Sequence, residues 1–534
     1  MFTRVLWYNL VMKNTTKTIT ISETEYNNLQ TECSSLKQQV DYLMSQLKLS
    51  KHRQFGASSE KSEYDGEQLN LFNEAEVEAD KTVAEPELVE IEQHYRKRKR
   101  LTSDKLPEDL PVEVVEHKLP EDEQDCPECD EKLRVVGRDV RRELVLIPAQ
   151  AKIREHVEYV YACQPCSKGE EYTPFAKAKM PEPVIKSGFA SPEAIAHIMT
   201  QKFVMGAPLY RQEQDWNRNG IMLSRQTMSN WLLKATEDWL VPIYERLKQE
   251  LLCRNVLHAD ETSLQVLREP GKMARNKSYI WLYRTSGDTE NHIIIYEYQP
   301  GRHAKYPAKF LETFDGYLHA DGYDAYHKLP ENITVVGCLA HLRRKFDEAL
   351  KILPDNARAD NPALRGKRYC DKLFKLEQDF ATLSAYERFE KRQEVAKPLL
   401  DEFYTWAESL NILPKSPMGV AVHYAFSQRK YLERYLLDGR LEISNNRAER
   451  SIKPFVIGRK NWIFNNTPRG ANASAVMYSI IETAKENGLN PYDYLVHIFK
   501  VAPNLTADDL AAAEKLLPWS LELPESVQVR KAAS

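Results

Sequence analysis

Two stretches of this chain end an apolar run with the same order of side chains. Val256-Leu257 leads into His258-Ala259-Asp260, and Tyr317-Leu318 leads into His319-Ala320-Asp321. The two aspartates stand 61 positions apart. An acid at the end of an apolar strand is costly to bury unless something positive compensates it. Two such acids on adjacent strands would offer hard oxygen ligands to divalent cations. The best candidate for a third ligand is Glu449, in Asn445-Asn446-Arg447-Ala448-Glu449-Arg450. Asn445 or Asn446 can cap a helix there, which puts Glu449 in its first turn. Between 428 and 470 ten Lys and Arg stand against four acids, with Trp462 and Phe464 among them. A carboxylate in so cationic and aromatic a stretch fits metal chemistry on a polyanion. Each acid taken alone is more often a cap or a surface charge. Their arrangement, two strand-end acids and a third on a basic helix, carries the chemical reading.

A second constellation lies upstream. Cys126-Pro127-Glu128-Cys129 and Cys163-Gln164-Pro165-Cys166 are two C-x-x-C knuckles with 33 residues between them. Two knuckles complete a tetrahedral four-thiolate site, closed to substrate and therefore structural. Zn²⁺ held by Cys126, Cys129, Cys163 and Cys166 is expected, with strands at 143–147 and 156–161 forming a ribbon around it. The bland alternative is a pair of redox dithiols.

The elements that must position these groups follow from periodicity. The 534 residues, 42% hydrophobic and 28% charged, suffice for several domains. A net charge of −4 excludes a uniformly polybasic chain, so basic patches must be local. No apolar run is long enough for a membrane span. Without an export signal a cytoplasmic location is expected. Residues 1–21 read as a leader, with Met12 as an alternative start.

Over 22–51, Tyr26, Cys33, Val40 and Leu47 alternate with Leu29, Leu36 and Leu43 in an a/d pattern, a coiled coil. The alternative is an amphipathic helix packed on its own chain. Residues 52–118 form a linker, with twelve acids over 60–92 followed by the basic run RKRKR at 96–100. The ribbon occupies 119–172.

Residues 173–250 read as a helical DNA-binding domain. One helix from Leu209 closes at Asn219-Gly220, and Ser224 caps the next, which buries Met228, Trp231 and Leu232. Arg225 and Gln226 would stand at the exposed N-terminus of that helix, where a helix-turn-helix reads bases. The alternative is a packed helical hairpin. From 253 the texture becomes β, with strands expected at 255–260, 278–285, 292–298, 316–321 and 333–338 and a helix at 340–352. The catalytic domain is expected over 251–500, with a helical insertion at about 353–440. A C-terminal tail follows at 501–534. The fold class is multidomain α/β.

At these residues the chain resembles the DDE transposases of the insertion sequence 66 group. The resemblance is carried by 54–61 (QFGASSEK), the paired cysteines, the segments around Asp260 and Asp321, and 340–346 (AHLRRKF). The stretches 445–450 (NNRAER), 458–462 (GRKNW) and 482–485 (ETAK) also carry it. It implies a ribonuclease-H-like catalytic fold, with Asp260, Asp321 and Glu449 as ligands of two Mg²⁺ or Mn²⁺ ions. The implied activity is cleavage at transposon ends and strand transfer into target DNA. Small accessory proteins of the same element are implied partners. A homodimer or higher oligomer is expected from the coil and from the need to hold two DNA ends. His341, Arg343 and Arg344 are expected to contact phosphate or support the acids. Arg450, Lys453, Arg459 and Lys460 are expected on the DNA backbone. Two other readings stay open: a zinc-containing DNA-binding regulator without catalysis, and a nuclease of the same fold that cuts but does not join. A bland third is a coiled-coil assembly protein.

Overall fold

The computed structural model describes residues 151–162, 175–177, 180–186, 188–353, 358 and 361–529, with Asn28, Gln30 and Glu32 besides. The four paired cysteines, the basic run and nearly all of the expected coil lie outside the described residues. Among the described residues the chain forms two compact units: 248–475, and the residues between 151 and 247 together with 476–529.

The second of these begins with a short antiparallel pair, β1 (Val160–Ala162) and β2 (Phe175–Lys177). β1 starts later than the expected strand at 156–161, because 151–159 are exposed and no described strand pairs with them. α1 (Pro192–Phe203) opens with Ser191 accepting from the Ala194 N–H at 3.1 Å and Pro192 in its first turn. α2 (Leu209–Arg218) and α3 (Arg225–Ala235) follow. Gly220, at φ 76°, makes the reversal after α2 without strain. Ser224 caps α3 through the Thr227 N–H at 3.1 Å, and Met228, Trp231, Leu232 and Ala235 are buried. α4 (Val241–Leu252) leads into the β region.

The unit 248–475 is built on a five-stranded sheet of β3 (Val256–Gln265), β4 (Lys277–Thr285), β5 (Ile294–Gln299), β6 (Gly316–His319) and β7 (Ile333–Val336). The order across it is β5-β4-β3-β6-β7. The β3, β4 and β5 neighbours are antiparallel, whereas β3–β6 and β6–β7 are parallel. The five expected strands all form, with one consequential difference. β3 continues to Gln265, so Asp260 lies inside a strand and not at its end. The reason is pairing: β6 accompanies β3 only over Val256–His258, while β4 pairs with it to Gln265.

Between β5 and β6 lies the short α5 (Lys305–Phe310). After β7 come α6 (Leu339–Lys351), α7 (Pro362–Asp379), α8 (Ala385–Lys391), α9 (Lys397–Glu408), α10 (Pro417–Ser427) and the one-turn α11 (Arg429–Leu432). Leu342 and Phe346 of α6 share a core with Tyr369, Leu373, Leu400, Phe403 and Trp406. Each such side chain contributes about 1.5–3 kcal/mol on full burial. Arg392, fully buried, donates to Glu377 at 2.8 Å and to the carbonyls of Tyr435, Asp438 and Leu441 at 2.7–2.9 Å. One guanidinium thus fixes the segment that leads into α12 (Asn446–Trp462). α13 (Pro468–Glu486) follows.

α14 (Pro491–Val501) and α15 (Ala507–Ala512) are the last α-helices among the described residues. The expected catalytic span of 251–500 differs from what is seen at its end. α14 packs on α1, with Lys500 Nζ 2.9 Å from Glu193 and Asn504 accepting from the Glu182 N–H at 3.0 Å. Residues from 476 therefore join the helical unit: Tyr494, Leu495, Ile498 and Phe499 bury an apolar face. No helix among the described residues is long and apolar enough to cross a membrane.

Candidate metal and nucleic-acid site

Asp260 sits on β3 opposite Leu282 of β4. Asp321 lies two residues past the end of β6, and Glu449 is in the first turn of α12. The structure places Asp321 and Glu449 close enough for their charges to act on Asp260, although the three carboxylates are not a group whose ligand atoms all lie within 4.8 Å of one another. The Asp260 carboxyl is pushed well above the ordinary carboxylate range, first by burial and then by the negative charges of Glu261, Asp321 and Glu449. Asp260 Oδ1 accepts from the Glu261 N–H at 2.8 Å, and Asp321 Oδ1 from the Tyr323 N–H at 2.9 Å. These short-range bonds orient each carboxylate without bringing in a countercharge.

Glu261, the next residue along β3, is differently placed. Strand alternation turns it away from Asp260. There it accepts from Arg302 Nε at 2.8 Å and from the Tyr326 hydroxyl at 2.6 Å. Arg302 pairs with Glu261, yet burial and the charge of Asp321 still hold the Glu261 carboxyl above its usual range. Among the described residues Asp260 and Asp321 accept only backbone N–H bonds. Glu442 is also engaged elsewhere. It takes Arg447 Nε at 2.7 Å and the Gly287 N–H at 3.3 Å, and faces His258 Nε2 at 3.7 Å.

The start of α12 is anchored to β3 by a residue expected only to cap. Asn445 occupies the N-cap position, but its side chain makes no cap bond. Its Nδ2 donates to the Ala259 carbonyl at 2.7 Å and its Oδ1 lies 3.0 Å from His258 Nδ1. Its backbone N–H donates to Cys338 Sγ at 3.1 Å. The residue is 1% exposed, so these bonds are desolvated and the tie is rigid. It links the residue before Asp260 to the turn that carries Glu449.

The repeated histidines lie beneath this tie. His258 and His319 pair in register on β3 and β6 and stack with ring centroids 4.4 Å apart. Burial pulls the His258 imidazole down to about 4 and His319 well below its usual value. Both are neutral, and His319 Nε2 accepts from the Glu442 N–H at 3.2 Å. The duplicated His-Ala-Asp order was the sequence signal for this pair.

The basic residues of α6 divide. Arg344 Nη2 lies 3.3 Å from Glu449 Oε2, and His341 Nε2 3.7 Å from Glu449 Oε1. Arg343 instead pairs with Asp371 of α7 at 2.5 Å. Three potential ligand atoms, from Cys338, His341 and Glu449, lie within 4.8 Å of one another. Burial pushes the Cys338 thiol up to about 11, and it already accepts a hydrogen bond, which suits packing better than a ligand. On α12, Arg450, Lys453 and Lys460 are exposed. Arg459 is half-buried and donates to Thr262 at 3.2 Å, so its position is a tie to β3. In the helical unit Arg225 and Gln226 are exposed at the start of α3. The Arg225 backbone N–H donates to Glu213 at 2.9 Å, and its guanidinium is 5.6 Å from the Tyr210 ring.

A mixed α/β domain with acids grouped beside an exposed basic helix is an arrangement suited to holding divalent cations against a polyanion. The comparisons narrow it. A family model described as "Transposase IS66 family" matches residues 187–473, more than half of the chain. "IS66 C-terminal element" matches 479–519, "zinc-finger binding domain of transposase IS66" matches 123–167, and "Transposase C of IS166 homeodomain" matches 42–115. The chain belongs to the IS66 transposase family. Among its relatives are the uncharacterized proteins y4qI and y4hP of Sinorhizobium fredii. The first is 31% identical over 437 residues, 78% of this chain and 76% of the relative. The second is 29% identical over 453 residues, 82% and 80% of the two. Membership brings a DNA-directed role, divalent metal use and a zinc-finger segment over the paired cysteines.

Proposed function

We propose that the chain is the catalytic transposase of its element, cutting the phosphodiester at the element's ends and joining the freed 3′-hydroxyl to target DNA. The observation that carries this is the grouping of Asp321 and Glu449 near Asp260, whose carboxyl is raised first by burial and then by the charges of Glu261, Asp321 and Glu449. A site that gathers buried carboxylates, with Arg344 on Glu449 but no cation bonded to Asp260 among the described residues, is suited to holding metal ions. The donor set is all carboxylate oxygen, which matches Mg²⁺ or Mn²⁺. Glu449 Oε1 is buried without a hydrogen-bond donor, which keeps one ligand atom open. Metal bound there would supply Lewis acidity to the phosphate and lower the pKa of an attacking water. The ribonuclease-H-like reading of the domain rests on the strand order β5-β4-β3-β6-β7 with its one switch from antiparallel to parallel.

The chain's own residues divide the remaining tasks. Asn445 fixes Glu449 relative to Asp260, Arg344 holds one oxygen of the Glu449 carboxylate, and His341 stands 3.7 Å from the other. Arg450, Lys453 and Lys460 carry DNA phosphates past the acids. Arg225 and Gln226 of α3 read the element's ends, with Zn²⁺ on the four paired cysteines ordering the segment before it. Two ends held together require at least two copies, joined through residues 22–51.

The test is a labelled duplex bearing the element's end, with a target plasmid and Mg²⁺. Wild type is expected to nick and join. Asp260→Ala, Asp321→Ala and Glu449→Ala are each expected to lose both while end binding survives. Nicking that persists in all three variants refutes the assignment. Nicking without joining favours a nuclease, and binding without either a regulator.

A further inference from the structure

Helix α12 ends at Trp462 in a strained turn. The next residue, Ile463, has φ 64° and ψ −50°, and the Phe464 N–H donates to the Trp462 carbonyl at 2.7 Å. This is a γ-turn of the positive-φ kind, which is rare and strained. A β-branched residue is among the worst suited to it, whereas glycine would adopt it freely. Among the described residues only Ile463 and Ala513 combine a side chain with positive φ. The turn is pinned on both sides. The Ile463 N–H donates to Arg459 at 2.7 Å, the Asn465 N–H to Gln265 at 2.9 Å, and the Leu267 and Arg268 N–H groups to Asn465 and Asn466 at 3.0 and 2.9 Å. Strain held by its surroundings is characteristic of sites that bind or switch.

The turn delivers two large apolar side chains to solvent. Ile463 is 64% exposed and Phe464 43% exposed. Neighbouring charge is positive. Exposed Arg450, Lys453 and Lys460 lead along α12 to the turn. Arg268, whose backbone is bonded to Asn466, is exposed, as are Arg275 and Lys277 at the far end of the β3–β4 hairpin. The one acid of that hairpin connection, Glu269, is buried and bonded to Ser278 and Tyr298. An apolar point framed by cations complements a duplex, with phosphates outside and stacked bases within.

We propose that Ile463 and Phe464 form a wedge that enters bound duplex DNA between two base pairs and holds them unstacked, an inference that rests on the chain acting on DNA at its acidic site. Apolar wedges of this type kink a duplex and let it wrap more protein surface. Glu449 lies fourteen residues back along α12, about 21 Å at helical rise. Asp260 lies five residues back from Gln265 along β3, about 17 Å at strand rise. At about 3.4 Å per base pair, the disturbed step lies about five or six pairs from the cleaved phosphate.

The test uses the full chain and duplexes of the element's end with 2-aminopurine placed in turn at each of the outermost positions. Wild type is expected to raise fluorescence at least about twofold at the step five or six pairs from the nick, and not at its neighbours. The signal is expected to vanish in Ile463→Ala/Phe464→Ala and to persist in Phe464→Trp, which keeps a ring. Ile463→Gly relaxes the turn but removes half the wedge. It is expected to melt no lower than wild type while losing most of the signal, which separates the wedge from folding. A wild type that nicks without a localised signal overturns this inference alone, as does a signal of unchanged height in the double variant. Localised signal without nicking upholds the wedge and counts against the catalytic reading. A protein that neither binds nor distorts the duplex overturns both.

Discussion

Replacing Asn445 by alanine removes two desolvated hydrogen bonds, to the Ala259 carbonyl at 2.7 Å and to His258 Nδ1 at 3.0 Å. Its backbone bond to Cys338 is untouched. Each lost bond costs about 1 kcal/mol, and up to about 3 kcal/mol when the partner stays buried and unpaired. The sum, about 2–6 kcal/mol, should lower the melting point of a unit of this size by about 5–25 °C. Catalysis should fall further than stability. The lost tie joins the residue before Asp260 to the turn that bears Glu449, and a misplacement of about 1 Å can cost about 100-fold in rate. DNA affinity should stay within about threefold, because Asn445 is 1% exposed and touches no solvent-facing cation. Asn445→Asp is expected to be at least as damaging, since it turns the donor facing the Ala259 carbonyl into a charged acceptor. The assay is single-turnover nicking at saturating duplex and at a temperature where every variant is folded, with melting followed in parallel. An alanine variant that melts within about 1 °C of wild type and nicks at its rate would refute the reasoning.

Three further outcomes are expected. Lys453→Ala and Lys460→Ala should each reduce the salt slope of duplex binding by about one, whereas Arg459→Ala, which loses the bond to Thr262, should lower the melting point with little change in slope. Glu193 is pushed up by burial, but hydrogen bonds from Lys500, its own backbone and Arg154 outweigh this and bring it down to about 2. Its folded pKa lies below the unfolded 4.5, so its stabilisation is full above that value and lost as pH falls from about 4.5 to about 2; an acid melt of Glu193→Gln should be flatter across that window. Cys126→Ser and Cys163→Ser should each lower the zinc content measured after unfolding, and chelation of wild type should release about one Zn²⁺ per chain.

Much of the framework was legible in the residues because it depends on local pattern. The five strands announce themselves as short apolar runs between breakers. Ser224 caps its helix because a hydroxyl three residues ahead of a free N–H needs nothing else. The duplicated His-Ala-Asp order marked both aspartates, and first-turn placement followed for Glu449 once Asn445 ended the preceding segment. The side-chain types of the acidic site were therefore in the sequence, as was the positive charge along α12.

Other decisions required contacts between residues far apart in the chain. Asn445 looks like a cap, yet its side chain spends its bonds on residues more than 180 positions away. Arg343 and Arg344 are adjacent, but neighbouring helix positions face about 100° apart. One meets Asp371 and the other Glu449 only because the helical insertion packs on one side of α6 and α12 on another. Arg459 and Lys460 separate for the same reason. β3 outruns the strand predicted for it because its partner β4 supplies hydrogen bonds to Gln265, and a partner is not a property of the strand's own residues. Ile463 shows the limit most clearly. No propensity places a β-branched residue at positive φ; the hydrogen bonds of Asn465 and Asn466 to the end of β3 impose it. Residue types and local pattern set the candidate ligands and the elements that would carry them. The tertiary structure decided which of those groups meet, because desolvated bonds between distant residues outweigh what each segment would prefer alone.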